Sequence, residues 1–227
     1  MSNSVLTFLG RGDAFNYLED NTSAYLIHED HLYLFDCGQK IATKIINLNL
    51  LDKIKNVTVF ITHLHPDHVA SLPELLTYIK VFLKDINIQV VYKNKDNILS
   101  LLRLLHYDFD VIILDSYQDD YLRIEIVNQT HVINSYGYIV YASDCSFFYS
   151  GDASTINEKA LDLLIDDELD YFYHEVSEKD SSFHIGIETL NKNIPLNLRK
   201  KVYLMHFKDE NIINLALENG YKVVEVE

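Results

Sequence analysis

The amino-acid sequence predicts an α/β fold in which two β-sheets pack together with helices on their outer sides. Runs of β-branched and apolar residues, which are typical of strands, occur in both halves of the chain. Segments with the apolar spacing of amphipathic helices lie between these runs. The chain has 227 residues, of which 48% are hydrophobic, and this is enough for one sizeable core. We therefore expect residues 1–227 to form a single domain.

The first half of the sequence predicts a hairpin, further strands and one helix. Strands are expected at 4–10, 24–28, 31–36, 57–63 and 86–92. Glu29 and Asp30 form the predicted turn of the hairpin. A helix is expected at 71–82, because Ser71 can serve as N-cap with Glu74 three residues later, and a proline in the first turn is tolerated.

The second half predicts three helices among seven strands. Strands are expected at 110–114, 122–131, 136–143, 146–152, 169–176, 201–207 and 221–226, and the second, third and fourth of these are expected to be antiparallel. Asp96 is the predicted N-cap of a helix at 95–107, and Thr155 with Glu158 is the predicted capping box of a helix at 155–165. The last helix, at 210–220, is expected to stop at Gly220.

The charge and composition limit the classes of partner. The formal net charge is -15, with 34 acidic against 19 basic residues, whereas proteins that bind long nucleic acids are usually basic. A small anionic substrate needs only a local positive site and stays compatible with this charge. Two cysteines do not form a disulfide framework, so we expect a cytoplasmic location. No apolar run suggests a membrane span, and the first residues do not resemble a signal peptide.

The segment "THLHPDH" concentrates metal-ligand side chains directly after a predicted buried strand. His63 and His65 are two residues apart, so in an extended segment they point the same way and can bind one metal. Asp67 and His68 lie one step further along and can bind a second. Imidazole nitrogen and carboxylate oxygen suit zinc, manganese or iron. The simpler alternative is a polar turn that happens to be rich in histidine.

Three distant strand ends carry the same residue types. His131, Asp152 and His206 each end a predicted strand, and functional residues often lie on such loops. If these strand ends share one edge, the side chains converge with the "THLHPDH" segment. A single carboxylate such as Asp152 can then bridge two metals. We assign no ligand role to the remaining histidines outside the loop at 184, namely His28, His31, His106 and His174.

The motifs as a set resemble the metallo-β-lactamase fold superfamily, and in particular its ribonuclease Z-like phosphodiesterase branch. "THLHPDH" is similar to the HxHxDH signature, and "FLGRGDAF", "NTSAYLI" and "LFDCG" resemble the branch's N-terminal pattern. "SYGY" after His131, "YSGD" with Asp152, "HEVS" followed by His184, and "LMHF" with His206 resemble its later motifs. The resemblance extends from about residue 5 to residue 207, in the same order.

This resemblance implies a four-layer αββα sandwich and two divalent metal ions, with Zn²⁺ favoured and Mn²⁺ or iron as alternatives. The implied ligands are His63, His65 and His131 for the first metal, Asp67, His68 and His206 for the second, and Asp152 as the bridge. Asp67 would also orient or deprotonate the attacking water. His184 would donate a proton to the leaving oxygen, and Glu175 would orient His184. The resemblance further implies a homodimer.

The sequence departs from ribonuclease Z enzymes, which carry an extra arm for the tRNA body. The segment 80–131 holds one predicted helix and three short strands and no such insertion. We therefore expect a phosphodiesterase that acts on a small phosphodiester, such as a cyclic nucleotide or a short oligonucleotide. The alternatives are a tRNA 3′-processing endoribonuclease and a non-catalytic metal-binding regulatory protein. Tyr136 or Tyr138 could stack on a base, and a basic patch at 192–201 could contact phosphate.

Overall fold

The computed structural model describes residues 4–227. Its first sheet has six strands, in chain order β1 (Thr7–Gly10), β2 (Ser23–His28), β3 (His31–Phe35), β4 (Asn56–Phe60), β5 (Asn87–Val91) and β6 (Ile112–Leu114). Strands β1 to β3 pair antiparallel, and strands β3 to β6 pair parallel. The strand order across the sheet is the chain order.

The second sheet has seven strands. They are β7 (Tyr117–Gln118), β8 (Leu122–Gln129), β9 (Ser135–Ala142), β10 (Ser146–Tyr149), β11 (Tyr171–Glu175), β12 (Val202–Met205) and β13 (Lys222–Val223). Their order is again sequential. Strands β7 to β10 pair antiparallel, as predicted for β8, β9 and β10, and β10 to β13 pair parallel.

Helices cover the outer faces of both sheets. They are α1 (Ile41–Asn47), α2 (Pro66–Val69), α3 (Leu72–Phe82), α4 (Lys95–Leu104), α5 (Glu158–Ile165), α6 (Ile187–Asn193) and α7 (Glu210–Glu218), with a 3-10 turn at Arg199–Lys201. One apolar layer packs α1, α3 and α4 on the first sheet. Another packs α5, α6 and α7 on the second sheet. The predicted αββα sandwich is therefore confirmed.

The layer between the sheets is mostly aromatic. Phe35 and Phe60 stack with ring centroids 4.9 Å apart, and Tyr149 from the second sheet lies 5.3 Å from Phe35. Such ring pairs contribute about 0.5–1.5 kcal/mol each beyond the apolar area that they bury. The fully buried Tyr138 of β9 also donates its hydroxyl to the carbonyl oxygen of Ile61 at 2.5 Å. The two sheets are thus held in one relative position by packing and by a hydrogen bond.

Several local predictions were wrong. Helices α1, α2 and α6 and strand β7 were not predicted. Asn94 and Asn157, rather than Asp96 and Thr155, occupy the N-caps of α4 and α5, because their side-chain oxygens accept from the amide three residues later. Ser71 does hold the N-cap position of α3. Its hydroxyl, however, donates to the carbonyl of Gly38 and accepts from the amide of Ala42 in α1 instead of closing a capping box.

The segment 80–131 contains core elements, as expected. It comprises the end of α3, strand β5, helix α4, and strands β6, β7 and β8, which is one strand more than predicted. All of these strands belong to the two central sheets. Among residues 4–227, none of the helices combines the length and the apolar character that crossing a membrane would require.

Candidate metal centre

Seven histidine and aspartate side chains meet at the edge where the parallel strands end. They are His63 and His65 after β4, Asp67 and His68 in α2, His131 after β8, Asp152 after β10 and His206 after β12. These are the seven residues that the sequence predicted as ligands, and the structure brings all of them together. The four histidines to which the sequence gave no ligand role, His28, His31, His106 and His174, do not belong to this cluster.

The first group consists of His63, His65, His131 and Asp152. Nε2 of His63 lies 3.0 Å from Nδ1 of His65, and Nε2 of His131 lies 3.3 Å from the same Nδ1. Oδ2 of Asp152 lies 3.7 Å from Nε2 of His63. Three imidazole nitrogens and one carboxylate oxygen therefore surround one point.

The second group consists of Asp67, His68, His206 and the same Asp152. Nε2 of His68 lies 3.1 Å from Oδ1 of Asp152 and 3.3 Å from Oδ2 of Asp67. Nε2 of His206 lies 3.3 Å from each of these two oxygens. Asp152 thus presents Oδ2 to the first group and Oδ1 to the second.

The spacing of these atoms fits a metal ion. An ion bound tetrahedrally at about 2.0–2.1 Å holds its ligand atoms about 3.3–3.4 Å apart, and the separations in the two groups, from 3.0 to 3.7 Å, lie around that value. Nε2 of His68 and Oδ1 of Asp152 lie 3.1 Å apart without the alignment of a hydrogen bond, and both are buried with no other hydrogen-bond partner, although buried polar atoms are normally satisfied. The side chains present are therefore suited to hold divalent metal.

The electrostatics of the two groups also favour cations. Burial, together with the nearby His68, lowers the pKa of His63 well below its ordinary value, so its imidazole is neutral, as a metal ligand must be. Burial would lower the pKa of His68 too, but the carboxylates of Asp152, Asp67 and Asp36 raise it well above its ordinary value. Three buried carboxylates around one ring require positive charge, which a divalent cation supplies.

Asp36, supported by Thr62, fixes the ring of His68 through the nitrogen that does not face the ligand group. Nδ1 of His68 donates to Oδ2 of Asp36 at 2.9 Å. The other oxygen of Asp36 accepts from the amide and the hydroxyl of Thr62 at 2.8 and 3.0 Å. A carboxylate on one ring nitrogen fixes the tautomer and directs the other nitrogen toward the metal. Neither residue was predicted as part of the site, although the acidic residue that ends the apolar strand in "LFDCG" was an available signal.

Two glycines permit the close approach of the loops. A Cβ on Gly38 would lie 1.9 Å from the carbonyl oxygen of Asp67. Gly151 has a φ of 59° and lies against Thr62, whose Cβ would be 2.6 Å from an added Cβ. A side chain at either position would displace backbone that carries Asp67 or Asp152.

His206 is held in a backbone conformation that is unusual for its type. Its φ of 63° lies in the left-handed region, which costs of order 1 kcal/mol or more for a residue other than glycine. The next residue, Phe207, donates its amide to the Arg11 carbonyl at 2.8 Å. Its own carbonyl accepts from the Asp13 amide at 3.0 Å and the Asn16 side chain at 2.9 Å. The loop after β1 therefore holds His206 in place.

Glu175 and His184 form a pair beside the second group. Oε2 of Glu175 lies 2.6 Å from Nδ1 of His184, and Oε1 accepts from the amide of Ala153. Glu175 is fully buried at the end of β11, whereas the His184 side chain is 30% exposed. Burial and the nearby Asp152 raise the pKa of Glu175 well above its ordinary value. The pair that the resemblance implied is therefore formed.

A cavity of about 270 Å³ opens over these residues. His184 and five of the seven predicted ligands line it, together with Phe15 and Phe183. Tyr136 and Tyr138 do not line it. Tyr136 is buried in the outer core of the first sheet beside Tyr92, and Tyr138 is buried between the sheets.

In the basic patch at 192–201, Arg199 and Lys201 have structural roles. Its guanidinium donates to the backbone carbonyls of Ile194, Asn219 and Asn191 at 2.8–3.2 Å. Lys201 donates to Asp167 and to the Leu169 carbonyl, both at 2.6 Å. These two side chains stabilise the loop before β12, and the patch lies outside the cavity lining.

Comparison with known proteins identifies the family. The family described as anti-Pycsar protein Apyc1 matches residues 4–224, which is nearly the whole chain. The chain belongs to this family. An anti-Pycsar protein Apyc1 from Paenibacillus harenae is 27% identical over 220 residues, covering 90% of each chain.

Several solved structures have the same fold as this member of the anti-Pycsar protein Apyc1 family. The metallo-β-lactamase fold protein YhfI from Bacillus subtilis aligns with a TM-score of 0.73 and 16% identity, over 98% of this chain and 95% of its own. The short form of human tRNase Z aligns with a TM-score of 0.69 and 22% identity, over 98% and 96%. The predicted metallo-β-lactamase fold is confirmed.

Membership of this family, together with side chains suited to hold metal, makes the chain an enzyme, a metal-dependent phosphodiester hydrolase. The alternative of a non-catalytic metal-binding regulatory protein is set aside.

The Asp36→Asn substitution should weaken metal binding by about 10- to 100-fold, because it removes the carboxylate that orients His68. Zinc affinity, measured by competition with a chromophoric chelator, checks this. Asp119→Asn is the matched control, since Asp119 also accepts hydrogen bonds from buried groups, the hydroxyls of Tyr33 and Tyr117, but belongs to neither group. Equal affinities in the two variants would contradict the assigned role of Asp36.

Proposed function

We propose that the chain is a binuclear metal-dependent phosphodiesterase that hydrolyses a small phosphodiester, such as a cyclic nucleotide or a short oligonucleotide. The position of Asp152 carries the proposal, because one carboxylate oxygen faces each ligand group. A carboxylate shared in this way is suited to bridge two cations that lie close together.

The first metal would be held by His63, His65 and His131, and the second by the remaining set of Asp67, His68 and His206. We propose Zn²⁺ for both, because four-coordinate sites of imidazole and carboxylate suit it, while Mn²⁺ and iron accept the same ligand types. When bound, two such ions would neutralise charge on the phosphoryl oxygens and lower the pKa of the attacking water.

We propose Asp67 as the group that orients the attacking water or accepts its proton. Its carboxylate lines the cavity and lies 3.3 Å from Nε2 of both His68 and His206. Burial alone would raise the pKa of Asp67, but the two imidazoles lower it below its ordinary value. Asp67 therefore stays ionised at neutral pH and can accept a hydrogen bond from the attacking water.

We propose His184 as the proton donor to the leaving oxygen. Its ring lines the cavity, and Glu175 occupies its Nδ1 at 2.6 Å. Nε2 is then the ring nitrogen left to reach the substrate. Glu175 acts as a positioning residue, since its buried oxygen on Nδ1 holds the imidazole of His184 in one orientation.

The size and charge of the cavity support a small substrate. Its volume of about 270 Å³ is at the lower end of ligand-binding clefts, which are typically about 300–1,000 Å³. No lysine or arginine of residues 4–227 lines it, and the net charge is -15. A tRNA body would need a basic surface along its backbone, so tRNA 3′-processing is the weaker alternative.

The oligomeric state and the cellular location are also proposed. We propose a homodimer in the cytoplasm, as the resemblance and the cysteine content predicted. Light scattering of the purified protein measures the oligomeric state directly, and a monomer at micromolar concentration would contradict it.

A substrate panel tests the proposed function. The metal-loaded protein is assayed with cyclic mononucleotides, cyclic dinucleotides, bis-p-nitrophenyl phosphate and a tRNA precursor. We expect turnover of small diesters with a higher kcat/KM than that for the tRNA precursor. A clear preference for the precursor would favour the endoribonuclease, and no turnover of any diester would refute the proposal.

The His184→Ala substitution should lower kcat for a cyclic nucleotide by about 100-fold or more, because a positioned general acid typically contributes 10²–10⁴-fold. It should affect bis-p-nitrophenyl phosphate less, since p-nitrophenolate leaves without protonation. Metal content, measured on the same samples, should match the wild type. His106→Ala, which alters an exposed histidine outside both groups, is the control. Unchanged turnover of the cyclic nucleotide would refute the role of His184.

A further inference from the structure

Two exposed phenylalanines line the cavity from loops of different sheets. Phe15 lies on the loop after β1 and is 80% exposed, and Phe183 lies on the loop between β11 and α6 and is 46% exposed. Leaving large apolar rings in water forgoes the free energy of burying them. A ligand that covers both rings in the cavity would recover it.

The loop that carries Phe15 is held by several hydrogen bonds. Oδ1 of Asp13 accepts from the amides of Phe15 and Asn16 at 2.8 and 2.9 Å. The amide of Asp13 donates to the carbonyl of Phe207, the residue after His206. The position of Phe15 is therefore tied to the loop that carries a predicted metal ligand.

Phe183 is tied to the first ligand group. Its carbonyl accepts from Nδ1 of His131 at 2.9 Å, and its ring packs edge-on against His131 with centroids 5.9 Å apart at 77°. Its amide donates to the Ser181 hydroxyl at 3.1 Å. The contacts of the backbone do not depend on the side chain, so Phe183→Ala can remove the ring while keeping the loop.

We propose that Phe15 and Phe183, the phenylalanine pair, bind the base of the substrate by stacking and so select diesters that carry a base. The inference rests on the proposed function, because it places the phosphate at the ligand groups and the base against the pair. Stacking on aromatic rings serves every base, since each has a flat π-face. Tyr136 and Tyr138, of which the sequence allowed one to take this role, are both buried away from the cavity.

The lining of the cavity favours a base over a second phosphate. No lysine or arginine in the described part of the chain, 4–227, borders the cavity. A second phosphate would therefore find no cationic side chain there beyond the histidines. Apolar rings instead match a flat heterocycle, whose transfer from water to an aromatic surface is favourable. The pair thus fits a diester with one phosphate and one base.

The test compares two ligands that differ only in the base. Isothermal titration of the metal-loaded protein gives the affinity for a nucleoside 5′-monophosphate and for ribose 5-phosphate. We expect the wild type to prefer the nucleotide, and Phe15→Ala and Phe183→Ala each to reduce that preference about 10-fold, within the range for one base–aromatic stack. Phe82→Ala removes a 70% exposed ring from α3 and should leave the preference unchanged.

The outcomes separate this inference from the proposed function. Equal affinity of the wild type for both ligands, or full preference in both alanine variants, would overturn the role of the phenylalanine pair. A nucleotide preference lost in these variants, in a protein that hydrolyses no diester, would support the pair and refute the hydrolytic function alone. Light scattering completes the test, because variants that change the oligomeric state but keep the preference would place the pair at a subunit contact instead.

Discussion

The burial of three carboxylates around one imidazole is the constraint on which the rest of this structure depends. Asp36, Asp67 and Asp152 all contact His68, and none of them is more than 5% exposed. Taking uncompensated charges out of water costs several kcal/mol per ion. Divalent cations held by these carboxylates and the neighbouring histidines would offset that cost. Metal binding and the stability of this edge of the protein are therefore coupled.

The fold supplies the geometry that this charge arrangement requires. Parallel strands from both sheets end at one edge, so residues far apart in the chain meet there. Asp36 and His206 both adopt left-handed backbone conformations, with φ of 63°. Gly38 and Gly151 let the loops approach without side-chain clashes. The hydrogen bonds of Phe207 to the loop after β1 then hold the strained turn at His206.

The sequence predicted those parts of the site that a local pattern encodes. Each of the seven proposed ligands stands in a short motif at or just after a strand end, so strand prediction located them, and the resemblance divided them between two proposed metals. Glu175 and His184 could be assigned only through the resemblance, because a buried acid and a loop histidine have no local signature. Asp36 and Thr62 were missed because they act on His68 rather than on the metal. Helix α1 was missed because its N-cap residue, Lys40, makes no side-chain cap hydrogen bond.

Anomalous X-ray diffraction from crystals of the zinc-loaded protein, at the zinc absorption edge, tests the binuclear centre most directly. A binuclear centre bridged by Asp152 should give two peaks per chain, roughly 3.5–4 Å apart, with one oxygen of Asp152 about 2.0–2.2 Å from each. A single peak, or two peaks with both oxygens of Asp152 bound to the same ion, would contradict it.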